Sequence, residues 1–228
     1  MWYPSGGEVC LMEKNWREDY DTFIFDMDGL LVNSEDIYRI GWKKAFEAYG
    51  LHVDDAIIAS WNGKSAMSCE QFIVDQFHDP TLYGKLFQVR EDFIYESLDK
   101  GDLHLLPYVK EVLEQLKKDG KKIALASSCR KKRATDILKK TGVFDLFDVM
   151  VNADDVEHVK PAPDIYEKAL ALTGTPKDKA LVLEDSSIGV QAARNAGLDV
   201  VQVIEDRRVD PRIGEKIEKD MSFLLKNE

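Results

Sequence analysis

Two aspartates stand two residues apart in FDMDG (Asp26 and Asp28), and two serines stand together in ALASS (Ser127 and Ser128). A lysine opens KPAPD (Lys160), and adjacent acids close LVLED (Glu184 and Asp185). Hard carboxylate oxygens suit Mg2+, which keeps several waters and leaves room for a substrate phosphate. Phosphoryl transfer would employ the whole set. One carboxylate can attack phosphorus, and a second can carry protons to the leaving oxygen and from the attacking water. The metal, lysine and hydroxyls can stabilise charge on the transferring oxygens. Each piece alone has a plainer reading. A DxD is often a turn, and paired serines cap helices. Lys160 could be a solvated loop residue, and Glu184 and Asp185 could be acids favoured by a helix N-terminus.

The positions of these residues decide between the readings. Short apolar runs at residues 23–25, 122–126, 149–151, 181–183 and 200–203 read as buried strands, and amphipathic helices lie between the later ones. Val109, Val112, Leu113 and Leu116 keep helical spacing, with Pro107 suited to the first turn and Gly120 to the stop. Ala192, Ala193 and Ala196 form a small face that lets a helix sit close on a sheet. From residue 105 onward helix and strand alternate, which predicts an α/β fold with a Rossmann-like parallel sheet covered on both faces. Nearly a hundred residues separate the first strand from the second, and those from 34 to 100 read as helices alone. Tyr38, Gly41, Trp42, Ala45, Phe46 and Tyr49 form one stripe, and residues 87–95 carry another. The expected organisation is an N-terminal extension at 1–20, open to disorder; a catalytic core at 21–34 and 104–228; and an inserted α-helical cap domain at 35–103. Ligands of open α/β sheets bind at the carboxyl ends of the strands. All seven polar residues fall at or just beyond four such ends, and their joint occurrence favours a site over four separate accidents.

Composition removes other classes. The net charge of −11 argues against a nucleic-acid partner, although a metal or one lysine can reverse the sign locally for a small anion. No apolar run approaches the ~20 residues that span a bilayer, and the first residues lack the pattern of a secretory signal. Three cysteines, Cys10, Cys69 and Cys129, lack close metal-type spacing and suit reduced thiols in a cytoplasm.

With these motifs in place, DMDG, ALASS, KPAPD and LEDSSIG, the chain from residue 20 onward resembles the haloacid dehalogenase superfamily. The likeness is to the β-phosphoglucomutase-like branch, whose cap follows the first motif. The resemblance implies an aspartyl-phosphate mechanism with Asp26 as nucleophile and Asp28 as general acid/base. It implies phosphate binding by Ser127, Ser128 and Lys160. Mg2+ would be held by Asp26, the Asp28 carbonyl, Glu184 and Asp185. Gly29 to Ser34 would form the hinge of the cap. Dehalogenases of the superfamily lack an acid two residues after the nucleophile, so Asp28 points to phosphate esters.

Mutases of this branch resemble one another in a cap histidine and a cap-loop arginine; alignment puts Tyr38 and Ala66 at those positions. The expected function is therefore a Mg2+-dependent phosphatase acting on a small, sugar-like phosphomonoester. The alternatives are a β-phosphoglucomutase and, further off, a non-catalytic phosphometabolite sensor. Tyr38, Trp42, Asn62, Gly63 and Lys64 are candidate cap contacts to substrate, though Tyr38 and Trp42 fit cap packing equally well. Asn33 stands where many relatives carry aspartate. The expected partner is a small phosphorylated metabolite, with no nucleic acid and no membrane, acting as a monomer or weak homo-oligomer. Residues 1–11 are expected to be a disordered tail or an upstream start, with Met12 as an alternative initiator.

Overall fold

A computed structural model describes residues 15–61, 66–204, 213–214 and 216–225. Six parallel strands form one sheet: β1 (Thr22–Phe25), β2 (Lys122–Ser127), β3 (Val149–Asn152), β4 (Ala180–Glu184), β5 (Asp199–Val203) and β6 (Lys216–Glu218), in the order β3-β2-β1-β4-β5-β6. The five expected strands are present and slightly longer. The sixth escaped sequence reading because KIE is short, polar and only partly buried.

The apolar runs arise from burial on both sheet faces. Phe23, Phe25, Ile123 and Leu125 point to one face, covered by α6 (Val109–Lys118) and α7 (Lys131–Lys140). Ile24, Ala124, Ala126 and Val182 point to the other, covered by α8 (Asp164–Thr173) and α9 (Ser187–Asn195). The period-two alternation thus divides one continuous apolar run between two cores. Ala192 and Ala193 are fully buried in the second core, as their small volumes suggested. Pro107 does not enter the first turn of α6, because Tyr108 takes the N-cap place in a left-handed conformation.

Between residues 34 and 100 the described residues form four helices: α2 (Ser34–Ala48), α3 (Asp55–Ala59), α4 (Ala66–Phe77) and α5 (Leu82–Lys100). They enclose a core of their own, with Trp42, Phe46, Trp61, Ile73 and Leu86 at its centre. Tyr49, counted in the helical stripe, is instead exposed at the end of α2. Two strands of linker join this insertion to the sheet, and Asn33 ties them together. Its amide donates to the Asp102 carbonyl (2.9 Å) and accepts from the His104 amide (2.8 Å), so it is unavailable to cap α2.

The C-terminal end of the expected extension at 1–20 is ordered and packs on the sheet unit. Residues 16–19 form α1 (Trp16–Asp19), and Trp16 meets Phe223 edge-on at 6.0 Å. Tyr20 is fully buried and donates a 2.6 Å hydrogen bond to Asp199. The sequence signal is an aromatic pair four residues apart, Trp16 and Tyr20, whose rings stack at 6.1 Å. Residues 1–11 and Met12 lie outside the described residues. No helix among the described residues is long and apolar enough to cross a membrane.

Candidate active site

The strand order reverses direction between β1 and β4, and such a switch point opens a crevice at the carboxyl edge of the sheet. Phe25 pairs with Leu125 on one side and Leu183 on the other. Asp26 is the next residue, its amide still bonded to the Leu183 carbonyl at 3.0 Å. The chain then turns sharply, with the Met27 carbonyl accepting from the amides of Leu30, Leu31 and Val32, and Gly29 at φ 83°. That positive φ is easy only for glycine. The DxD is therefore a turn, as the plainer reading held, but Asp26 is buried within it.

Lys160 arrives from the loop after β3 and is not a solvated residue. Its ammonium donates to Asp26 Oδ1 (2.5 Å) and to Glu184 Oε1 (2.6 Å) and lies 4.9 Å from the centre of the Tyr166 ring. Tyr166 also donates to Glu184 Oε1, at 2.7 Å. The second Glu184 oxygen accepts from the amides of Asp185 and Ser186 and from the Ser186 hydroxyl, at 3.0–3.1 Å. Gly189 allows this: a Cβ there would lie 1.7 Å from Glu184 Oε1, so only glycine lets the first turn of α9 close over the carboxylate. Ser186 caps that helix by accepting from the Gly189 amide. The helix-terminus reading of Glu184 was thus partly right, but the same carboxylate faces the lysine.

Carboxylate oxygens of Asp26, Glu184 and Asp185, all buried, lie within 4.8 Å of one another. Burial, reinforced by Glu184, Asp185 and Asp28 and opposed by Lys160, pushes the Asp26 carboxyl well above its usual range. Burial acts on Glu184 in the same direction, but there the charge and hydrogen bond of Lys160, with Tyr166 and the Ser186 amide, win and hold it low. Burial also works against charge on Lys160, yet Asp26 and Glu184 outweigh it and keep the ammonium protonated. Three buried carboxyl groups thus share one ammonium. Such an all-oxygen donor set matches a hard divalent cation.

The two serines separate. Ser127 is buried at the end of β2, and its hydroxyl accepts from the Cys129 amide at 3.1 Å, whereas Ser128 is exposed. Neither caps α7, whose N-cap is Arg130; the Lys131 amide is met by Asp154 instead. Asp28 is partly exposed and accepts a 2.6 Å hydrogen bond from Tyr38 of α2. Burial, countered by Arg133, holds that phenol well above its ordinary value. Trp42 resolves toward packing: it is buried against Phe46, Trp61 and Tyr83. Asn62, Gly63 and Lys64 lie outside the described residues, as does the side chain of Ala66. Sequence reasoning missed Tyr166, whose only signal was an aromatic two residues past KPAPD on the sheet-facing side of α8. It also missed Gln202, fully buried, which donates to the Asp185 carbonyl at 3.1 Å and accepts from the amides of Ile213 and Gly214.

A parallel sheet with a polar, charged edge at its switch point, joined there by the Tyr38–Asp28 hydrogen bond of an inserted helical unit, defines an α/β enzyme of Rossmann-like fold. The pattern of the haloacid dehalogenase-like hydrolases matches residues 23–203. The chain belongs to that family. It is 30% identical over 187 residues to a fructose-1-phosphate phosphatase of Escherichia coli, covering 82% of this chain and 97% of that one. It is 31% identical over 185 residues to a phosphorylated carbohydrates phosphatase of Thermotoga maritima, covering 78% and 82%. A solved Thermotoga maritima structure ascribed to the β-phosphoglucomutases superposes with a TM-score of 0.73 at 26% identity, over 90% of this chain and 97% of that one.

Proposed function

We propose that this enzyme is a phosphatase that hydrolyses a small, sugar-like phosphomonoester through an aspartyl-phosphate on Asp26. The observation that carries the reading is the bonding of Lys160 to both Asp26 and Glu184, with the second acid, Asp28, two residues beyond the first. The phosphatases of sugar phosphates among its relatives favour the same substrate class.

Asp26 attacks phosphorus as the ester P–O bond breaks, and a proton passes from Asp28 to the departing alcohol oxygen. Water then attacks the aspartyl-phosphate, returns a proton to Asp28, and inorganic phosphate leaves. Lys160 holds Asp26 in place and offsets negative charge on the transferring oxygens. Ser127, with Ser128 at the open side, donates to the phosphate. Asp26, Glu184, Asp185 and the Asp28 carbonyl would hold Mg2+, which supplies positive charge beside the phosphate when bound. Glu184 and Gln202 fix the frame beneath. The α2–α5 insertion acts as the cap, covering the strand ends.

The test is release of inorganic phosphate from sugar phosphates, polyol phosphates and nucleotides, with Mg2+ or with chelator. Turnover of one or more sugar phosphates, abolished by chelation, is the expected result. Conversion of β-glucose 1-phosphate to glucose 6-phosphate in the presence of a bisphosphate activator, without phosphate release, would overturn the hydrolase reading in favour of a mutase.

A further inference from the structure

Two contacts join the insertion to the sheet edge beside the reacting groups, and both converge on one aromatic ring. The first is the hydrogen bond from Tyr38 of α2 to Asp28 Oδ1. The second is an ion pair between Arg133 of α7 and Glu91 of α5, 2.7 Å from Nη1 to Oε1. The guanidinium of Arg133 lies 5.1 Å from the centre of the Tyr38 ring, and that of Arg90, from α5, lies 4.7 Å from it. The Arg133 Nε also donates to Cys129 Sγ at 2.9 Å, which fixes the plane of its guanidinium. Cation–π contacts of this kind orient a ring as well as attract it. The phenol therefore has little freedom to swing away from Asp28.

A carboxylate has two oxygens, and a proton-transferring carboxylate must present one of them to the substrate. We propose that Tyr38 is a positioning residue for Asp28: its hydroxyl pins Oδ1, the two arginines clamp its ring, and Oδ2 is left facing the substrate's ester oxygen. The inference rests on the assignment of Asp28 as the proton carrier. It also gives the cap a chemical task, because Tyr38, Arg90 and Glu91 all belong to the insertion while Asp28 and Arg133 belong to the sheet unit. When the insertion sits on the sheet edge, the proton carrier is held in one orientation; when it lifts, that restraint goes. Packing alone would require the ring of Tyr38 but not its hydroxyl.

Leaving groups separate the two. An alkoxide of a sugar or polyol needs a proton as it departs, whereas p-nitrophenolate leaves without one. kcat/KM, which extends only to the first irreversible step, is measured for a hexose phosphate turned over by the enzyme and for p-nitrophenyl phosphate. In Y38F, kcat/KM for the hexose phosphate is expected to fall about tenfold or more, a part of what general acid catalysis supplies, while the aryl ester changes less than about twofold. R133Q, which keeps the hydroxyl and frees one face of the ring, should show the same selectivity with a smaller loss, and it serves if Y38F does not fold. D28N is the reference and should discriminate most strongly. Unchanged kcat/KM on both esters in Y38F, which is what packing alone predicts, or equal losses on both in Y38F or in R133Q if that variant must stand in, would overturn the proposal while leaving Asp28 in its role. Absence of discrimination in D28N would overturn the assignment of Asp28 itself, and the proposal with it.

Discussion

At the sheet edge, side chains hold one another by charge: Lys160 bonds Asp26 and Glu184, Tyr166 bonds Glu184, and backbone amides take up the remaining oxygen. In the insertion, the cohesion is aromatic: Trp42 packs against Phe46, Trp61 and Tyr83, Tyr83 packs against Phe87, and the Arg90 guanidinium lies over Trp42 and Phe87. A charged cluster depends on each member, because removing one leaves a buried partner uncompensated. An aromatic core depends on volume, and tolerates exchange of one apolar residue for another of similar size. The edge is thus sensitive to the loss of any one charge, and the insertion to the loss of volume.

Changes that touch one region and spare the other put this contrast to the test. Asp26→Asn removes the nucleophile and keeps the size; kcat is expected to fall by about 10³-fold or more, with the fold retained because Glu184 still pairs with Lys160. Near-normal turnover would sink the mechanism. Lys160→Met leaves Asp26 and Glu184 facing each other without a cation, and should cost about 3–5 kcal/mol in urea unfolding measured with chelator present. A loss below about 1 kcal/mol would show that the cluster is not the coupled unit described. Trp42→Ala opens a cavity in the insertion and should cost about 3–5 kcal/mol. Amide exchange ought to quicken across α2, α4 and α5 while β1, β2 and β4 keep their protection; equal quickening of the sheet would merge the two regions into one.

The smallest effect lies on the sheet far from its active edge. Asp148 accepts from the Ile123 amide at 2.8 Å and pairs with Lys117, and although burial opposes them, these contacts hold its carboxyl below the usual carboxylate range. A depressed folded pKa adds stability at pH values above the unfolded pKa, which is lost as pH falls through the folded one. Asp148→Asn should therefore cost about 1 kcal/mol near neutrality. The gap from the parent protein should narrow as pH drops through and below the ordinary carboxylate range. A gap that widens on acidification would reverse the sign of the argument.

The two regions also differ in how far the sequence revealed them. Parallel strands buried on both faces must be apolar, so polar residues just beyond them at the carboxyl edge stand out by contrast. Asp26, Lys160 and Glu184 were legible for that reason. Tyr166 was not, because a tyrosine on the inner face of α8 reads as core until its hydroxyl is seen against Glu184. Gln202 was hidden inside a strand, where its polarity looked incidental. β6 carried no pattern at all. In the insertion, helical spacing identified the apolar stripe of α2 but could not distinguish Trp42, which packs, from Tyr38, which reaches Asp28. That distinction depends on where α5 and α7 place Arg90 and Arg133, a tertiary fact with no local signature.

The most direct measurement of the central claim is to trap the covalent intermediate. Enzyme mixed with Mg2+ and a sugar phosphate that it turns over is quenched, treated with borohydride to reduce any acyl phosphate to homoserine, and digested for mass spectrometry. Homoserine is expected at Asp26 and none at Asp28, with the signal dependent on substrate. Rapid turnover with the modification at Asp28, or with every acidic residue of the peptide unchanged under conditions that trap a known acyl phosphate, would contradict it.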